Sequence, residues 1–283
     1  MPEFREQIRK SAKVAQQTKI SIIMAVFNEE KFLENSLSAL MKQTLKPDQI
    51  IIVDDGSTDK SLEIIARYPL TVKRLPIKKE SSLERYPAVL SAGSKMLKED
   101  FDYVGILDAD IILEPEYYEK LIQRFEENSD IGIASGDLLG EPVKGSLLGL
   151  TPYAYGANRL YTRKCWVKLN NGKKMKPVPQ CDFYHNVYAE MLGFKTKRFA
   201  EIRSWHLRPA RLGNAFAKGY HAYEFGYYWH YLSLRALRNR SLSMIPGYLK
   251  ASLSAVKQYP IRVQVRRMQI DRLQRLWHKT SLI

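Results

Sequence analysis

Apolar residues in the first half of the chain follow two alternating patterns. Short continuous runs, such as KISIIMAVF (residues 19–27) and DYVGIL (102–107), are rich in β-branched residues, which predicts buried strands. Between the runs, apolar residues recur three or four positions apart, as in EEKFLENSLSALMKQ (29–43), which predicts amphipathic helices. From residue 19 to residue 139 strands and helices alternate. We therefore expect right-handed crossovers and a Rossmann-like α/β fold, with a mostly parallel sheet and helices on both faces.

Acidic clusters follow two of the predicted strands. Asp54 and Asp55 come after QIIIV, and Asp108 and Asp110 come after YVGIL. Ligands of open α/β sheets bind beyond the carboxyl ends of the strands, so both clusters should face one crevice. In an extended chain Asp108 and Asp110 would point the same way, and two carboxylates suit a hard cation such as Mg²⁺ or Mn²⁺. Helix capping and loop solvation are the alternative interpretation of each pair.

Positive charge is concentrated at the end of the chain. The net charge is +15, and residues 207–283 contain 14 Lys and Arg against two acids, Glu224 and Asp271. The first 206 residues are nearly balanced, with 31 basic and 28 acidic groups. This shift separates an α/β domain (19–206) from a basic helical extension (207–283). The polar start before the first predicted strand is helix-like, which predicts an N-terminal helical segment (1–18).

The basic extension mixes Trp and Tyr with Leu and Arg. In VQVRRMQIDRLQRLWHK (263–279), helical periodicity places Val265, Met268, Leu273 and Leu276 near one side, with arginines elsewhere. This pattern is typical of a helix at a membrane interface, where basic residues meet anionic lipid. A helix that packs on the core with a solvated basic face is the alternative. No nucleic-acid recognition motif accompanies the basic residues, so we expect no nucleic-acid partner.

Signals for secretion or membrane insertion are weak in this sequence. The longest apolar run, ISIIMAVF (20–27), is far shorter than the roughly 20 residues needed to cross a bilayer, and the polar start does not resemble a signal peptide. Cys165 and Cys181 lack zinc-site spacing, and we expect two reduced thiols. The expected location is the cytoplasm, with peripheral contact at the inner face of the cell membrane.

Three motifs connect this chain with a known family. VFNE (26–29), VDDGSTD (53–59) and LDAD (107–110) resemble motifs of the family 2 glycosyltransferases of GT-A fold. The resemblance extends roughly over residues 19–206, with a nucleotide-binding half at 19–139 and an acceptor half at 140–206. It implies an inverting enzyme that transfers a sugar from a UDP- or GDP-linked donor in one displacement, without an enzyme nucleophile.

The resemblance assigns nucleotide contacts to the ends of the first two strands. Ala25, Phe27 and Glu29 correspond to the segment that contacts the nucleotide base, with Phe27 available to stack on it. Asp54 and Asp55 correspond to the acids that hold the base and the ribose.

Further assignments implied by the resemblance concern the diphosphate and its metal. Asp108 and Asp110 match the D-x-D motif that holds Mn²⁺ or Mg²⁺ on the diphosphate, with Ala109 between them beside the nucleotide. His206 stands where some members have a metal ligand or a diphosphate contact, although a lone histidine is often structural. Arg85 lies in a segment where relatives often have an arginine that contacts the nucleotide or diphosphate.

The acceptor half is similar to the family in two segments. YGANRLYTRKCW (155–166) resembles the segment near the acceptor, and Asp182 falls where the catalytic base stands. Cys181 replaces the acid that usually precedes this base, and a helix N-cap is the alternative role for Asp182. The acceptor stays open between a glycan, a lipid-linked sugar and a polyprenyl phosphate.

Other classes of protein explain these acids less well. A nucleotidyltransferase would usually have a glycine-rich phosphate loop after the first strand, and AVFNEE (25–30) has no glycine. A haloacid-dehalogenase-like phosphatase needs its D-x-D on the first core strand, whereas three predicted strands precede residue 108. A dinucleotide dehydrogenase would show G-x-G-x-x-G, which the chain lacks. A membrane-bound scaffold that keeps the fold without activity is the non-enzymatic alternative.

Overall fold

A computed structural model describes residues 18–75, 82–140, 153–208 and 214–280. These residues belong to two compact units. The first unit contains the three stretches up to residue 208, and the second contains residues 214–280. The helical segment predicted for residues 1–18 lies almost entirely outside the described residues.

Strands and helices alternate through much of the first unit. Its strands are β1 (Ile20–Val26), β2 (Gln49–Asp54), β3 (Thr71–Arg74), β4 (Tyr103–Leu107), β5 (Ile111–Leu113), β6 (Ile131–Leu139), β7 (Asn158–Thr162) and β8 (Lys195–His206). Its helices are α1 (Leu33–Met41), α2 (Ser61–Ile65), α3 (Ser82–Ser94), α4 (Tyr117–Glu127), α5 (Arg163–Asn170) and α6 (Cys181–Met191).

All eight strands form one sheet with the order β3-β2-β1-β4-β7-β6-β8-β5. The first four strands in this order, β3, β2, β1 and β4, pair in parallel, as the alternation of strands and helices predicts. Beyond β4 the sheet is mixed, because β7 runs antiparallel to both β4 and β6, while β6 and β8 are parallel. The predicted α/β class is therefore confirmed, with parallel pairing concentrated in the half that precedes residue 108.

Continuous apolar runs form the central strands because both faces of the sheet are covered there. All six residues of β2 are buried, and six of the seven residues of β1 are buried. Ile22, Ile51 and Ile52 have no exposed surface. Complete burial of such a side chain stabilises the fold by about 1.5–3 kcal/mol relative to exposure, so these runs determine which strands lie in the centre.

One buried phenol joins three elements of the first unit. Tyr117, at the start of α4, donates a hydrogen bond from its hydroxyl to the Asn158 carbonyl of β7 at 2.7 Å. The same oxygen accepts a 2.7 Å hydrogen bond from the backbone N–H of Gly136 in β6. A Cβ on Gly136 would lie 2.6 Å from the Tyr117 ring, so only glycine leaves room for this contact. The hydroxyl thereby supports the sheet next to the acidic motif.

The second unit is helical over its described residues. It contains α7 (Ala215–Glu224), α8 (Trp229–Arg238), α9 (Met244–Leu253) and α10 (Arg262–Thr280). The backbones of α7 and α9 approach closely, because a Cβ on Gly219 would lie 1.9 Å from the Met244 carbonyl oxygen. Within the described residues, none of these helices combines the length and apolarity that a bilayer crossing requires.

Helix α10 buries only part of the side predicted to be apolar. Val265 is buried, Met268 and Leu273 are half-buried, and the side chain of Leu276 lies outside the described residues. A polar residue, Gln269, shares the buried side of the helix, where its side-chain oxygen accepts a hydrogen bond from the Tyr228 backbone N–H.

Candidate active site

The loops that follow β1 and β2 are held together by side-chain hydrogen bonds. Asn28 adopts a left-handed conformation (φ 54°), which asparagine tolerates better than most residues. Its backbone N–H donates to Ser57 Oγ at 3.0 Å, and its side-chain oxygen accepts from the Thr58 N–H at 2.8 Å. The next residue, Glu29, donates its N–H to Ser61 Oγ at 2.8 Å. These bonds bring the ends of the two strands to one edge of the sheet.

Residues predicted to contact a base lie at this edge. Phe27 follows β1 directly and its side chain is 53% exposed, which leaves an aromatic ring accessible beyond a strand end. Ala25 is the half-buried residue of β1. Their role in nucleotide binding stays a prediction.

The two acids after β2 have different surroundings. Asp54 is completely buried and accepts hydrogen bonds from the backbone N–H groups of Gly56 (3.3 Å) and Ser57 (3.2 Å). Arg74 Nε lies 3.4 Å from Asp54 Oδ2, the oxygen that also accepts from Gly56. Asp54 therefore shapes the turn after β2, and most of its hydrogen-bonding capacity is used within the loop.

Asp55 retains an unused acceptor. Its carboxylate pairs with Arg85 Nε, and Arg85 Nη2 donates to the Asp55 carbonyl at 3.0 Å. Asp55 Oδ1 is buried and has no hydrogen-bond partner among the described residues. Buried carboxylate oxygens are normally hydrogen-bonded, so this atom is suited to accept a donor from a ligand.

Helix α3 links the two acidic clusters. Arg85 contacts Asp55, and the next residue, Tyr86, donates its hydroxyl to Asp108 Oδ1 at 2.6 Å. Burial raises the pKa of Asp108, with the nearby charge of Asp110 acting in the same direction and the Tyr86 hydrogen bond opposing both. The clusters predicted from two separate strand ends therefore lie around one short segment of one helix.

Asp108 and Asp110 lie in a turn between β4 and β5, which corrects the expectation of an extended chain at this point. The Ile111 N–H reaches the Asp108 carbonyl at 3.3 Å, and the Asp108 N–H donates to the Ala157 carbonyl at 2.8 Å. Because the backbone turns, alternation along a strand does not set the side-chain directions, and the two carboxylates have different partners. Ala109 packs in the core, so only its backbone is available to a nucleotide.

Asp110 is the centre of an ionic network that the sequence analysis did not predict. It is 4% exposed, and its Oδ2 lies 2.9 Å from His206 Nε2. Arg208 pairs with both Asp110 and Glu29, and its guanidinium lies over the ring of Phe32 at 5.2 Å. Arg208 therefore connects the end of β1 with the acidic motif after β4.

The geometry around Asp110 is compatible with a divalent cation. The carboxylate of Asp110 and the imidazole of His206 lie side by side, with Oδ2 2.9 Å from Nε2, and both side chains are of types that can bind a divalent cation. The described residues do not, however, gather three or more acidic, His or Cys side chains into one metal-binding group. The predicted set of Asp108, Asp110 and His206 is thus divided, because Asp108 turns to Tyr86. The site fits a cation whose remaining ligands come from substrate phosphates and water.

Asp182 lies in the first turn of α6 and is exposed. The N-cap of this helix is Gln180, which has a left-handed conformation (φ 45°), so the alternative assignment of Asp182 as the N-cap is excluded. Within the described parts of the chain its carboxylate makes no hydrogen bond or ion pair that would occupy it. Gly156 passes close by, since a Cβ there would lie 2.9 Å from Asp182 Cβ.

Arg159 is a second residue that the sequence analysis missed. Its side chain is 1% exposed, next to Asp182 and Cys181. A charged residue inside the strand NRLYT was the signal that could have identified it, because strands of a covered sheet are normally apolar. Cys181 is a buried thiol whose pKa is raised by burial, so it does not supply a negative charge at neutral pH.

Comparison with known proteins agrees with this arrangement. The family model for Glycosyl transferase family 2 matches residues 21–165, about half of the chain. An uncharacterized glycosyltransferase of Methanocaldococcus jannaschii is 38% identical over 121 residues, which cover 40% of this chain and 39% of that protein. The poly(ribitol-phosphate) β-N-acetylglucosaminyltransferase TarP of Staphylococcus aureus is 34% identical over 115 residues, covering 39% and 34%. The aligned regions span well under half the length of these curated relatives.

Solved structures share the fold. A mannosyltransferase from Pyrobaculum calidifontis, in complex with GDP-Man and Mn²⁺, superposes with a TM-score of 0.59 at 15% identity, covering 93% of this chain and 88% of its own. S. aureus TarS 1–349 with UDP-GlcNAc superposes with a TM-score of 0.53 at 19% identity, covering 69% and 60%. At these identities the similarity establishes the fold alone.

Proposed function

Because this chain belongs to glycosyl transferase family 2, we propose that it transfers a sugar from a UDP- or GDP-linked donor to an acceptor, with inversion at the anomeric carbon. The observation that carries this proposal is the continuous set of contacts at the carboxyl ends of the strands. Asp55 and Asp108 are joined through consecutive residues of α3, and Asp110 is joined to Glu29 through Arg208. These contacts bring acids of all three sequence motifs together, which supports a single binding site for the donor.

The nucleotide is proposed to bind at the ends of β1 and β2. Phe27 offers an exposed ring for stacking, and Asp55 Oδ1 offers an unpaired acceptor for a base or ribose donor. Asp54 contributes indirectly by holding the turn that positions Asp55. The donors present in the similar structures, UDP-GlcNAc and GDP-Man, keep both UDP and GDP as candidates.

Asp110 and His206 are proposed to hold Mn²⁺ or Mg²⁺ together with the donor phosphates, with Asp108 close by. When bound, such a cation neutralises the leaving diphosphate as a Lewis acid. Arg208 supplies a positive charge at Asp110, so we propose that a metal and Arg208 compete for this carboxylate.

Asp182 is proposed to accept the proton of an acceptor hydroxyl. Its carboxylate is exposed and close to Gly156, and no described side chain occupies it. A positioned base contributes roughly 10²–10⁴-fold to such a step. A glycan or lipid-linked sugar would need this base, whereas a polyprenyl phosphate is already an anion at neutral pH and would not.

Nucleotide binding and turnover provide the test of the proposed function. We expect UDP or GDP with Mn²⁺ to raise the melting temperature, because a ligand that binds only the folded state stabilises it by mass action. Hydrolysis of the matching nucleotide-sugar should then be measurable and should decrease in EDTA. A protein that no nucleoside diphosphate stabilises would contradict the proposal, and binding without turnover would indicate an inactive scaffold.

The helical second unit is proposed to contact an anionic membrane surface. Several of its large apolar side chains are exposed, among them Trp229 (59%), Leu237 (61%) and Leu253 (86%), in a segment with a large basic excess. Such a combination favours peripheral binding to anionic lipid. Truncation after about residue 240, which removes Leu253 and eight of the 14 basic residues of 207–283, should strongly reduce co-sedimentation with anionic vesicles at low salt. Equal co-sedimentation of the full-length and truncated proteins would reject this role.

A further inference from the structure

An apolar row of side chains lies exposed on one face of the sheet. Strand pairing places Leu139 of β6 opposite Trp205 of β8, and Trp205 opposite Ile112 of β5. Residues in register share a face of the sheet, so these three side chains are neighbours. Leu139 is 36% exposed, Trp205 is 39% exposed and Ile112 is half-buried. The residues that alternate with them, such as Leu138 and Ser204, are buried on the opposite face.

A polar row runs beside the apolar row on the same face. Asp137 and Arg203 stand opposite each other in β6 and β8, two residues before the apolar row, so their side chains point the same way as it does. Arg198 Nε lies 3.7 Å from Asp137 Oδ1, and Arg198 Nη1 donates to the Tyr155 hydroxyl at 2.7 Å. All four side chains are at least partly exposed, so they can exchange hydrogen bonds with a ligand.

The polar row leads to the proposed base. Tyr155 precedes Gly156, where a Cβ would lie 2.9 Å from Asp182 Cβ. The Tyr155 N–H donates to Ser135 Oγ at 2.9 Å, which fixes this segment on β6, the strand that also carries one end of each row. In the sheet, β6 lies between β7 and β8, at about 4.8 Å per strand. A ligand of disaccharide size can therefore reach from the apolar row to Asp182.

We infer that Trp205 is a platform on which a sugar ring of the acceptor stacks. This role rests on the proposed function and deepens it, because it names the chemical class of the acceptor. One side of a pyranose ring presents C–H groups that pack on an aromatic face, while its hydroxyls need hydrogen-bond partners. Leu139 and Ile112 extend the apolar surface, and Asp137 and Arg198 offer the partners beside it.

An isoprenoid chain matches this surface less well than a sugar does. Such a chain has no hydrogen-bonding group, so it would take water away from the neighbouring Asp137 and Arg203 without replacing the lost hydrogen bonds, which is unfavourable. The sugar ring belongs either to a glycan or to a lipid-linked sugar. Methyl and hexyl glycosides of the same sugar distinguish these two sources.

The test compares tryptophan variants of the full-length protein. Trp205→Leu keeps an apolar side chain and removes the aromatic face, whereas Trp205→Phe keeps a smaller face. Trp229→Leu is the matched control, because Trp229 is also strongly exposed and lies in the helical second unit. Saturation-transfer NMR and calorimetry measure binding with and without UDP or GDP. The probes are methyl and hexyl glycosides of glucose, galactose, mannose and N-acetylglucosamine, the disaccharides cellobiose and chitobiose, and a short-chain prenyl phosphate.

At least one of the sugar probes should bind the wild type. Trp205→Leu should melt near the wild-type temperature and bind that sugar about three- to tenfold more weakly, because it loses the stacking contact. Trp205→Phe should keep most of the affinity, and Trp229→Leu should keep all of it. Where transfer to the sugar is measurable, Trp205→Leu should raise its KM more than it lowers kcat. Tighter binding of the hexyl than of the methyl glycoside assigns a lipid-linked sugar, and equal binding assigns a glycan.

Several results would overturn the role of Trp205. A wild-type protein that binds none of the sugar probes has no sugar platform, and equal binding by Trp205→Leu shows that the aromatic face is not used. A Trp205→Leu protein that does not fold makes the ring structural. Loss of prenyl phosphate binding alone assigns the row to an isoprenoid, and an equal loss of nucleotide affinity assigns it to the donor. If no nucleoside diphosphate binds, the proposed function fails, while sugar binding without nucleotide still decides the role of Trp205.

Discussion

The two acids of the LDAD motif should affect the stability of the free protein in opposite directions. Asp108 is partly buried and contacts the Tyr86 hydroxyl, and an amide oxygen in Asp108→Asn still accepts that hydrogen bond. The substitution also removes a negative charge near Asp110, whose presence raises the pKa of Asp108. Replacing a buried charge by a neutral group of similar shape is often stabilising, and we expect a gain of about 1 kcal/mol at pH 7.

Asp110→Asn should instead lose stability. Asp110 pairs with Arg208, and its Oδ2 lies 2.9 Å from His206 Nε2. Each hydrogen bond to a charged group contributes about 1.5–3 kcal/mol to stability. Arg208 keeps its contact with Glu29, and the amide oxygen remains a neutral acceptor. These two compensations reduce the expected net loss to about 1–3 kcal/mol.

The pH dependence supplies an independent check on Asp108. Its pKa in the folded protein is raised, mainly by burial, above the unfolded value near 3.9. Folding therefore favours the protonated carboxyl, and the wild type loses stability as the pH rises from about 4 through the folded pKa. Asp108→Asn does not titrate. Its advantage over the wild type should be largest at neutral pH and should disappear below about pH 4.

Urea denaturation followed by circular dichroism between pH 4 and pH 7 measures these differences. Asp100→Asn is the matched control, because Asp100 is an exposed acid that pairs with Lys19, and we expect no measurable change. Both site variants should nevertheless lose metal-dependent nucleotide binding. Equal destabilisation by the two site variants, or a stability difference for Asp108→Asn that does not vary with pH, would refute the reasoning.

Three further changes test separate parts of the structure. Tyr117→Phe should lower the free energy of unfolding by about 1–3 kcal/mol, because it leaves a buried backbone N–H and a buried carbonyl without their partner. Tyr118→Phe should cost less, and similar urea midpoints for the two variants would contradict this expectation. Asp55→Ala should weaken nucleotide binding by roughly 1–3 kcal/mol. Both Asp55→Ala and Asp54→Ala should lower stability, because Arg85 loses its carboxylate partner in the first variant and the turn loses its acceptor in the second. Calorimetry and urea midpoints separate binding from stability, and unchanged nucleotide affinity in both variants would move the site elsewhere. Asp182→Asn should reduce turnover at least about 10²-fold with a hydroxyl acceptor and little with a polyprenyl phosphate; a small effect on a proven hydroxyl acceptor would show that another group is the base.

Local pattern was sufficient to predict the α/β class and the place of the acids. The runs around β1, β2 and β4 are apolar over the length of a strand, and helical periodicity lies between them. Hydrophobic period depends on near neighbours in the chain, so it can be read without knowledge of the fold. Because parallel strands end at one edge, the acids after β2 and β4 could be assigned to a common crevice from the sequence.

The partners of those acids were decided by tertiary structure. Antiparallel pairing of β5 with β8 places His206 opposite Ile111, which brings Arg208 to Asp110, although these residues are far apart in sequence. The turn after β4 directs Asp108 to Tyr86, against the expectation for an extended chain.

The surroundings of the buried Arg159 guanidinium likewise depend on packing in space. Its neighbours Cys181 and Asp182 come from the start of α6, which local pattern does not connect with β7. Strand register and helix docking result from the packing of the whole core. The sequence therefore determined which residues end the strands, and only the packed structure determined which charges meet there.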